Sequence, residues 1–600
     1  MFNNNSSTSM GYENYLTHPL LSVFIGVILF LGVSFLGSLI IKSIFKKKDL
    51  NNNLFFLHSP LIGSNVLIML LFPVASFGIL NTNFLQLISC LLILLGFFSL
   101  KKAFRIKYDV FIKFKLLSLL SVLFFLLALA PITHADSLAY HLMSAVNLIE
   151  TGSFSGSLLP MEIKTEGAGE LLIALGLIAG SEQFGNLIQY GGLLSIIASF
   201  NNKKQNSYYL LLSVITVPCF IFLLSSPKPQ LMQIANTLFV FSYLLSAKKF
   251  QQKLKNFIIL SSILAVNFIS KFSFVLSSLF LSFLLFKRVV TKKNILNVAI
   301  STILIILLLI VPNFYFKYVN FSISLIDFIS SSLPININGY DNLNIALKKI
   351  TDGNRFIPTW IVYTGDYSKI STIIGPAFLS LLLFNFKNKF NLFLLFILFF
   401  YVMILIFGQA TSRFIFEGYV LMQFLLTYYN FKFKKGKFFF EFIVKIQVIS
   451  CIVILSYLII NLTQGSINNN LRNKVMVNNA NGYELMKWVN KNTDANDVIF
   501  SSHRSLSLIK NESYFLVYLN YINFKLDSSK KLVDFIKKRK NAKLLITSNV
   551  EKNKFEKCKG KLISYKKNVA KNVGRTPFKG NYYDVYLYDL NLNNFPKCLF

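Results

Sequence analysis

The stretch that decides the fold is LLSVFIGVILFLGVSFLGSLIIKSIFKKK, residues 20–48. Residues 20–41 carry no charged side chain, and an apolar helix of about 20 residues is long enough to cross the hydrocarbon core of a membrane. The stretch ends in lysines, at Lys42 and at Lys46 to Lys48. Lysines that follow a span usually stay on the cytoplasmic side. The stretch therefore predicts a permanent membrane span whose N-terminal end lies outside.

The same pattern recurs along most of the chain. Of its 600 residues, 54% are hydrophobic and only 14% are charged, whereas soluble proteins carry roughly 25% charged residues. The apolar blocks are closed by lysine, asparagine or proline. The composition excludes soluble enzymes, coiled coils, disordered chains and small disulfide scaffolds. It predicts a polytopic α-helical membrane protein, and placing every lysine cluster on the cytoplasmic side gives about 14 spans.

The net charge of +36 does not indicate a nucleic-acid partner. The lysines lie in short clusters between apolar blocks, where membrane topology explains them. An AT-rich genome also enriches a chain in lysine, asparagine, isoleucine and phenylalanine without any function. We therefore expect membrane lipids, and no nucleic acid, as partners.

The apolar pattern changes near residue 463. No block of spanning length follows, and short helix and strand patterns replace it. They predict a helix at 484–489, strands at 497–501, 544–547 and 582–588, and a helix at 531–540. Topology places this small α/β domain outside the cytoplasm. The predicted organisation is extra N-terminal helices at 1–110, a transmembrane core at 111–462 with outer loops at 132–167 and 317–372, and the α/β domain at 463–600.

The five cysteines divide between these parts. Cys90, Cys219 and Cys451 lie in apolar blocks and are expected to be ordinary core residues. Cys558 and Cys598 lie in the C-terminal domain. An oxidising compartment would allow those two to pair, and the sequence alone leaves the pairing open.

The richest polar cluster directly follows an apolar block, in the first large outer loop. It reads Thr133-His134-Ala135-Asp136-Ser137-Leu138-Ala139-Tyr140-His141. Asp136 precedes an amphipathic helix over about 137–150, which a carboxylate at that position can cap. Alternatively, Asp136, His134, Tyr140 and His141 surround one pocket. Ionisable residues so close to a membrane are functional candidates by default.

Three cations lie at the outer ends of other apolar blocks, namely Lys228, Lys271 and Arg413. Arginine suits phosphate because its planar fork donates two parallel hydrogen bonds and stays charged. Two simpler explanations stand beside this one. Lys228 could extend to lipid headgroups, and Arg413 could pair with Glu417 one turn along a helix.

The order of these features resembles that of the GT-C fold glycosyltransferases, in particular the protein O-mannosyltransferase and aminoarabinose transferase group. An acidic residue follows a span, an amphipathic helix comes next, and a polar segment with Glu162, Glu166 and Glu170 leads into the next block. The stretch Asp136 to His141 occupies the place of that group's acidic motif. The resemblance covers about 110–600 in architecture and about 130–200 in motif. The chain departs from the group at Ser137, where many members have a second acidic residue, and in its three extra N-terminal spans.

The resemblance implies an inverting glycosyltransferase on the outer face of a bacterial inner membrane. It would move a sugar from a polyprenyl-phosphate donor to a glycan, lipid or protein acceptor. Asp136 would be the general base, with His134 and His141 as orienting groups or reserve bases. The residues expected to bind substrate are Tyr140, Glu166, Lys228, Lys271 and Arg413. Asp136 and Glu166 are the ligands expected if Mg²⁺ or Mn²⁺ is used.

Two alternative functions stay open. A polysaccharide polymerase or ligase has a similar architecture but joins preassembled glycans. A transporter or lipid flippase belongs to a different class, in which inverted repeats with paired broken helices are typical. No such repeat is evident in the sequence. The loop at 317–372 is expected to act as a lid, since long loops are often functional.

Overall fold

The computed structural model describes most of the helical part and most of the sheet domain. The described residues are 11–44, 53–103, 115–154, 167–200, 207–246, 253–321, 373–386, 391–407, 412–516, 541–547, 556–570 and 582–591.

The chain is mostly helical. Its α-helices are α1 (Pro19–Ile44), α2 (Ser59–Ser76), α3 (Thr82–Ala103), α4 (Lys115–Ala128), α5 (Leu142–Thr151), α6 (Glu170–Ile178), α7 (Phe184–Phe200), α8 (Ser207–Ile215), α9 (Pro218–Leu224), α10 (Leu231–Ser246), α11 (Lys253–Ser270), α12 (Val275–Val289), α13 (Ile295–Ile305), α14 (Val311–Phe321), α15 (Asn391–Phe407), α16 (Ser412–Leu426), α17 (Lys434–Leu462), α18 (Asn469–Asn479) and α19 (Tyr483–Val489).

Five helical segments within the described residues are long and apolar enough to cross a membrane. They are Pro19–Ser43, Phe55–Ser76, Thr82–Leu100, Ile295–Val319 and Lys434–Ser466. A sixth is possible if α8 and α9, which meet at an angle of 64°, form one broken span. Several other apolar helices are shorter because the predicted blocks break, as at Gly180 between α6 and α7 and at Lys271 between α11 and α12. The predicted count of about 14 spans therefore stays a prediction.

The first three helices pack through glycines. A Cβ atom added at Gly32 of α1 would lie 2.0 Å from the carbonyl oxygen of Leu92 in α3. One added at Gly63 of α2 would lie 2.0 Å from the carbonyl oxygen of Val33. Small residues allow this close backbone approach, which is typical of helix packing in lipid. Large apolar side chains such as Phe24 and Leu94 remain exposed on the outside of this group, as expected of a surface that faces lipid.

The C-terminal part contains a five-stranded mixed sheet in the order β4-β3-β5-β7-β6. Its strands are β3 (Val498–Ser501), β4 (Ser513–Phe515), β5 (Ala542–Ile546), β6 (Lys559–Ala570) and β7 (Tyr582–Leu590). A separate pair, β1 (Phe384–Asn385) and β2 (Asn430–Phe431), is antiparallel. In the main sheet, β3 is parallel to both β4 and β5, and β7 is antiparallel to β5 and β6.

The sheet confirms the strands predicted at 497–501, 544–547 and 582–588. Helix α19 likewise confirms the amphipathic pattern at 484–489. The helix predicted at 531–540 lies outside the described residues. Cys558 forms a disulfide, whereas Cys90, Cys219 and Cys451 are free. Cys598, the partner considered for Cys558, also lies outside the described residues.

A buried ion cluster fastens α18 to the helical core. Arg472 of α18 donates from Nε to Glu182 Oε1 at 2.9 Å, in the connection between α6 and α7. It also donates to Glu13 Oε1 at 2.7 Å and to the hydroxyl of Tyr12 at 3.0 Å. Glu182 is only 3% exposed. Three segments distant in sequence are thus held together where the helices meet the sheet domain.

Candidate functional site

Asp136 lies in the connection between α4 and α5, where the chain cannot continue as a helix. Pro131 follows the end of α4, and proline at this place removes a backbone donor and fixes φ. A π-helical turn, Ser137–His141, then leads into α5. Turns of this kind are frequent at functional sites. Asp136 makes no side-chain capping hydrogen bond to this turn, so the prediction of a helix cap is wrong.

The carboxylate of Asp136 instead binds three cations from three different parts of the chain. The ammonium of Lys228, in the connection between α9 and α10, donates to Oδ2. Arg413, the second residue of α16, donates from Nη1 to the same oxygen at 3.0 Å. Arg504, which follows β3, donates from Nη2 to Oδ1 at 2.5 Å. We call Asp136, Lys228, Arg413 and Arg504 the basic cluster.

The basic cluster carries more positive than negative charge. One carboxylate faces three cations, which leaves +2 when Lys228 is protonated. The side chain of Lys228 is fully buried, that of Asp136 is 16% exposed, and that of Arg504 is 37% exposed. A partly buried cluster of cations attracts an anion. The two guanidinium groups fit phosphate oxygens in particular.

Burial and neighbouring charges shift the pKa values of both Asp136 and Lys228. Burial alone would raise the pKa of Asp136, but Lys228, His134, Arg413 and Arg504 hold the pKa well below its usual range. Burial lowers the pKa of Lys228 to about 7, although Asp136 attracts the proton. Arg413 and Lys271 lower the pKa of Lys228 further by repulsion. The charge of the cluster therefore changes near neutral pH.

Hydrogen bonds fix the elements that carry the cluster. Gln230, just before α10, donates to the backbone carbonyl of Arg413 at 2.8 Å. Ser507 of the sheet domain donates to the carbonyl of Leu138 in the π-helical turn at 2.6 Å. The starts of α10 and α16, the π-helical turn and the sheet domain are thus held in one arrangement.

Some of the residues predicted for the site lie at or near Asp136, and others contact different side chains. His134 packs edge-on against the ring of Phe222 at 4.6 Å and acts on Asp136, and Lys271 acts on Lys228. These two residues lie near the basic cluster, of which the predicted Lys228 and Arg413 are members. His141 binds Glu170 instead, with Nδ1 2.8 Å from Oε1.

Tyr140 packs with its ring centroid 4.3 Å from that of His141 and is 6% exposed. Glu166 lies outside the described residues, as does 322–372 of the expected lid.

The simpler explanations for Lys228 and Arg413 are wrong. Lys228 does not extend to headgroups, because its side chain is fully buried on Asp136 with Nζ 5.2 Å from the centroid of Phe222. Glu417 does not pair with Arg413. Its carboxyl group lies instead near Ser277 and Thr237.

The described residues do not form a metal site at Asp136. Among them, no group of three or more His, Cys, Asp or Glu side chains could hold a metal ion. Both oxygens of Asp136 also face cations, which repel a divalent ion. Glu166, the second ligand considered for Mg²⁺ or Mn²⁺, lies outside the described residues.

Arg504 was not predicted to be part of the site. A signal existed, because Arg504 follows the carboxyl end of a predicted strand, and polar residues at that position are frequently functional in sheets with parallel strands. Nothing in the local sequence links it to Asp136.

The arrangement defines a helix-rich protein with apolar helices of spanning length, a C-terminal sheet domain, and three cations from both parts gathered around one carboxylate. The DUF1420 N-terminal domain model matches residues 8–109 and 97–476. The DUF1420 C-terminal domain model matches residues 477–600. The chain belongs to the DUF1420 family. No curated protein and no solved structure matches it significantly.

Proposed function

We propose that this protein is an integral-membrane glycosyltransferase that uses a polyprenyl-phosphate-linked sugar as donor. The observation that carries the proposal is the basic cluster, in which three cations surround one carboxylate beside the ends of apolar helices. A lipid-linked sugar phosphodiester combines the two features such a place would recognise. Its phosphate is an anion, and its chain is apolar.

In the proposed reaction, the donor phosphate takes over the hydrogen bonds that Asp136 now accepts from Arg413, Arg504 and Lys228. These fixed cations would stabilise negative charge as it develops on the leaving phosphate. Hydrogen-bond donors that are already in position, in a site of low dielectric constant, stabilise the transition state strongly. Bidentate contacts from the two arginines would also fix the orientation of the phosphate.

Release from the cations allows Asp136 to act as general base. While both its oxygens bind cations, its low pKa makes it a poor proton acceptor. Once the donor phosphate holds those cations, Asp136 accepts the proton of an acceptor hydroxyl. The hydroxyl oxygen bonds to the anomeric carbon, the bond from that carbon to the phosphate oxygen breaks, and the lipid phosphate leaves with the electron pair. One displacement inverts the anomeric centre. His134, whose charge acts on Asp136, would help to orient it.

The proposed setting is a bacterial inner membrane, with a GT-C-like core of about 14 spans and the sheet domain outside the cytoplasm. The lysine clusters support this topology. The disulfide at Cys558 supports it too, because such bonds persist in oxidising compartments. The acceptor would be a glycan, lipid or protein of the cell envelope.

The test is a transfer assay with the full chain in lipid nanodiscs and a pool of polyprenyl-phosphate sugars. We expect release of free polyprenyl phosphate by the wild-type protein. We expect none from a variant carrying Lys228→Met and Arg413→Met. Lys437→Met, which removes an exposed cation of α17, serves as the matched control.

Tight donor binding with no release at any acceptor concentration would contradict the proposal and favour a carrier of anionic lipids. Transfer of preassembled glycans alone would identify a polymerase or ligase.

A further inference from the structure

A second polar site lies inside the helical part, separate from the basic cluster. Its centre is Glu417, which is only 3% exposed in the apolar helix α16. Its carboxyl group lies close to the hydroxyl groups of Thr237 of α10 and Ser277 of α12. Its Oε1 atom has no hydrogen-bond partner among the described residues. A single acid in such surroundings is costly unless its charge is compensated.

A neighbouring glutamine also has unused hydrogen-bonding groups. Gln233 lies one helical turn before Thr237 and is fully buried. Neither its side-chain oxygen nor its side-chain nitrogen has a partner in the part of the chain that the structure describes. Buried polar groups are almost always satisfied, so this place is suited to a small polar ligand. Positions four apart on a helix share a face, which puts Gln233 on the same side of α10 as Thr237.

Protein cations do not supply the missing charge in the described residues. Only burial and the neutral side chains of Ser277 and Thr237 affect the ionisation of Glu417 appreciably. The titratable residues on the helices packed against it are Tyr208 and Tyr209 of α8, Cys219 of α9, Tyr243 of α10, Tyr401 of α15, and Lys287 and Arg288 of α12. The two basic residues lie about 15 Å along α12 from Ser277, at 1.5 Å per residue. On α16 itself, Arg413 donates to Asp136.

The hydroxyl hydrogen bonds show how the charge can be compensated. Thr237 has a backbone acceptor at 3.1 Å, the carbonyl of Gln233. Ser277 has one at 3.1 Å, the carbonyl of Phe274. Each hydroxyl has one hydrogen to donate. If both keep these bonds, neither hydroxyl donates to Glu417, so a neutral Glu417 must carry a proton of its own. If Glu417 is ionised, a cation beside it restores neutrality.

We propose that Glu417, Thr237, Ser277 and Gln233 form a binding site for one monovalent cation, H⁺ or Na⁺. The oxygens there are carboxylate, hydroxyl and amide oxygens, which are hard ligands. The site goes beyond glycosyl transfer and does not depend on it. The site joins α10, which begins just after Lys228, to α16, whose second residue is Arg413. Its occupant therefore holds together the two helices that position these cations of the basic cluster.

The experiment measures thermal unfolding of the full chain in nanodiscs from about pH 5 to pH 9, in choline chloride or sodium chloride at equal ionic strength. A group that is neutral when folded binds more protons in the folded than in the unfolded state, so stability falls as pH rises. We expect the wild-type Tm in choline to fall by about 1–2 °C per pH unit. Glu417→Gln mimics the neutral acid and should lose this fall, leaving only the dependence that other groups, such as Lys228, contribute. Glu441→Gln, which neutralises an acid of α17 outside this site, should follow the wild type.

The sodium arm distinguishes the two occupants. If sodium raises the wild-type Tm at high pH but not that of Glu417→Gln, Na⁺ is an occupant. If sodium has no effect while the pH slope depends on Glu417, the occupant is H⁺. The proposal is overturned if Glu417→Gln keeps the wild-type dependence on pH and sodium.

An infrared measurement keeps the proposal testable if Glu417→Gln does not fold. The carbonyl stretch of a protonated carboxyl group should be present in the wild type at neutral pH without sodium. It should shift in Thr237→Val and Ser277→Ala, which each remove one hydroxyl. Absence of this band together with a Tm independent of sodium would contradict the site.

Discussion

Arg504 of the sheet domain donates a hydrogen bond to Asp136 at 2.5 Å, although 368 positions separate them in the chain. Arg504 follows β3, and Asp136 follows α4, so the contact joins the two parts of the protein at one carboxylate. Ser507 adds a second contact, to the carbonyl of Leu138. The sheet domain therefore contributes directly to the candidate site.

The first prediction concerns Arg504 itself. Arg504→Met should weaken binding of a polyprenyl-phosphate sugar by about 10- to 100-fold, because a hydrogen bond to a charged group contributes about 1.5–3 kcal/mol. Arg504→Lys should restore part of the loss, since it keeps the charge but not the planar fork. Fluorescence titration in nanodiscs measures the affinity. Lys510→Met, at an exposed position of the same domain, is the control; equal affinities for the Arg504→Met and Lys510→Met variants would exclude Arg504 from the site.

The second prediction is a pH dependence set by Lys228. Its pKa is lowered to about 7, so the ammonium loses its proton as pH rises through neutrality and the cluster loses one positive charge. Affinity for a sugar phosphodiester, whose own charge is constant in this range, should fall as pH rises above about 7, by up to tenfold per unit. Lys228→Met should bind more weakly and show no such slope. A slope that persists in Lys228→Met would assign the titration to another group.

The third prediction concerns the ion cluster of Arg472. Arg472→Met leaves Glu182 buried without its cation, and breaking a buried pair costs about 3–5 kcal/mol. We expect a clear fall in Tm and faster proteolysis between the helical part and the sheet domain. Lys474→Met, at an exposed position of the same helix, should leave both unchanged. A Tm for Arg472→Met equal to that of the control would show that the cluster does not hold the two parts together.

The fourth prediction is the location of the C-terminal domain. A phosphatase fused after residue 600 should be active in intact cells, and a reporter that works only in the cytosol should be silent. The reverse pattern of reporters would overturn the topology and the proposed outer-face reaction.

The sequence predicted the elements with strong local signals. Helix α1 (Pro19–Ile44) covers the apolar part of the stretch at 20–48, because a long apolar run closed by lysines has no competing structure. Lys228 and Arg413 were identified because a charged residue at the end of an apolar block is energetically costly and is therefore a functional candidate. The partner of Asp136 was not predictable, since a capping carboxylate and an ion-paired one have the same local sequence. Arg504 was missed because the tertiary fold alone brings it to Asp136.

The most direct test of the proposed function is Asp136→Asn in the transfer assay. Asparagine keeps the shape of the side chain but cannot accept a proton at neutral pH, so we expect sugar transfer to fall by about 10²- to 10⁴-fold. Binding of the donor should be retained or tightened, because the three cations lose their competing carboxylate. Transfer near the wild-type rate by a folded Asp136→Asn protein would contradict the assignment of Asp136 as the base.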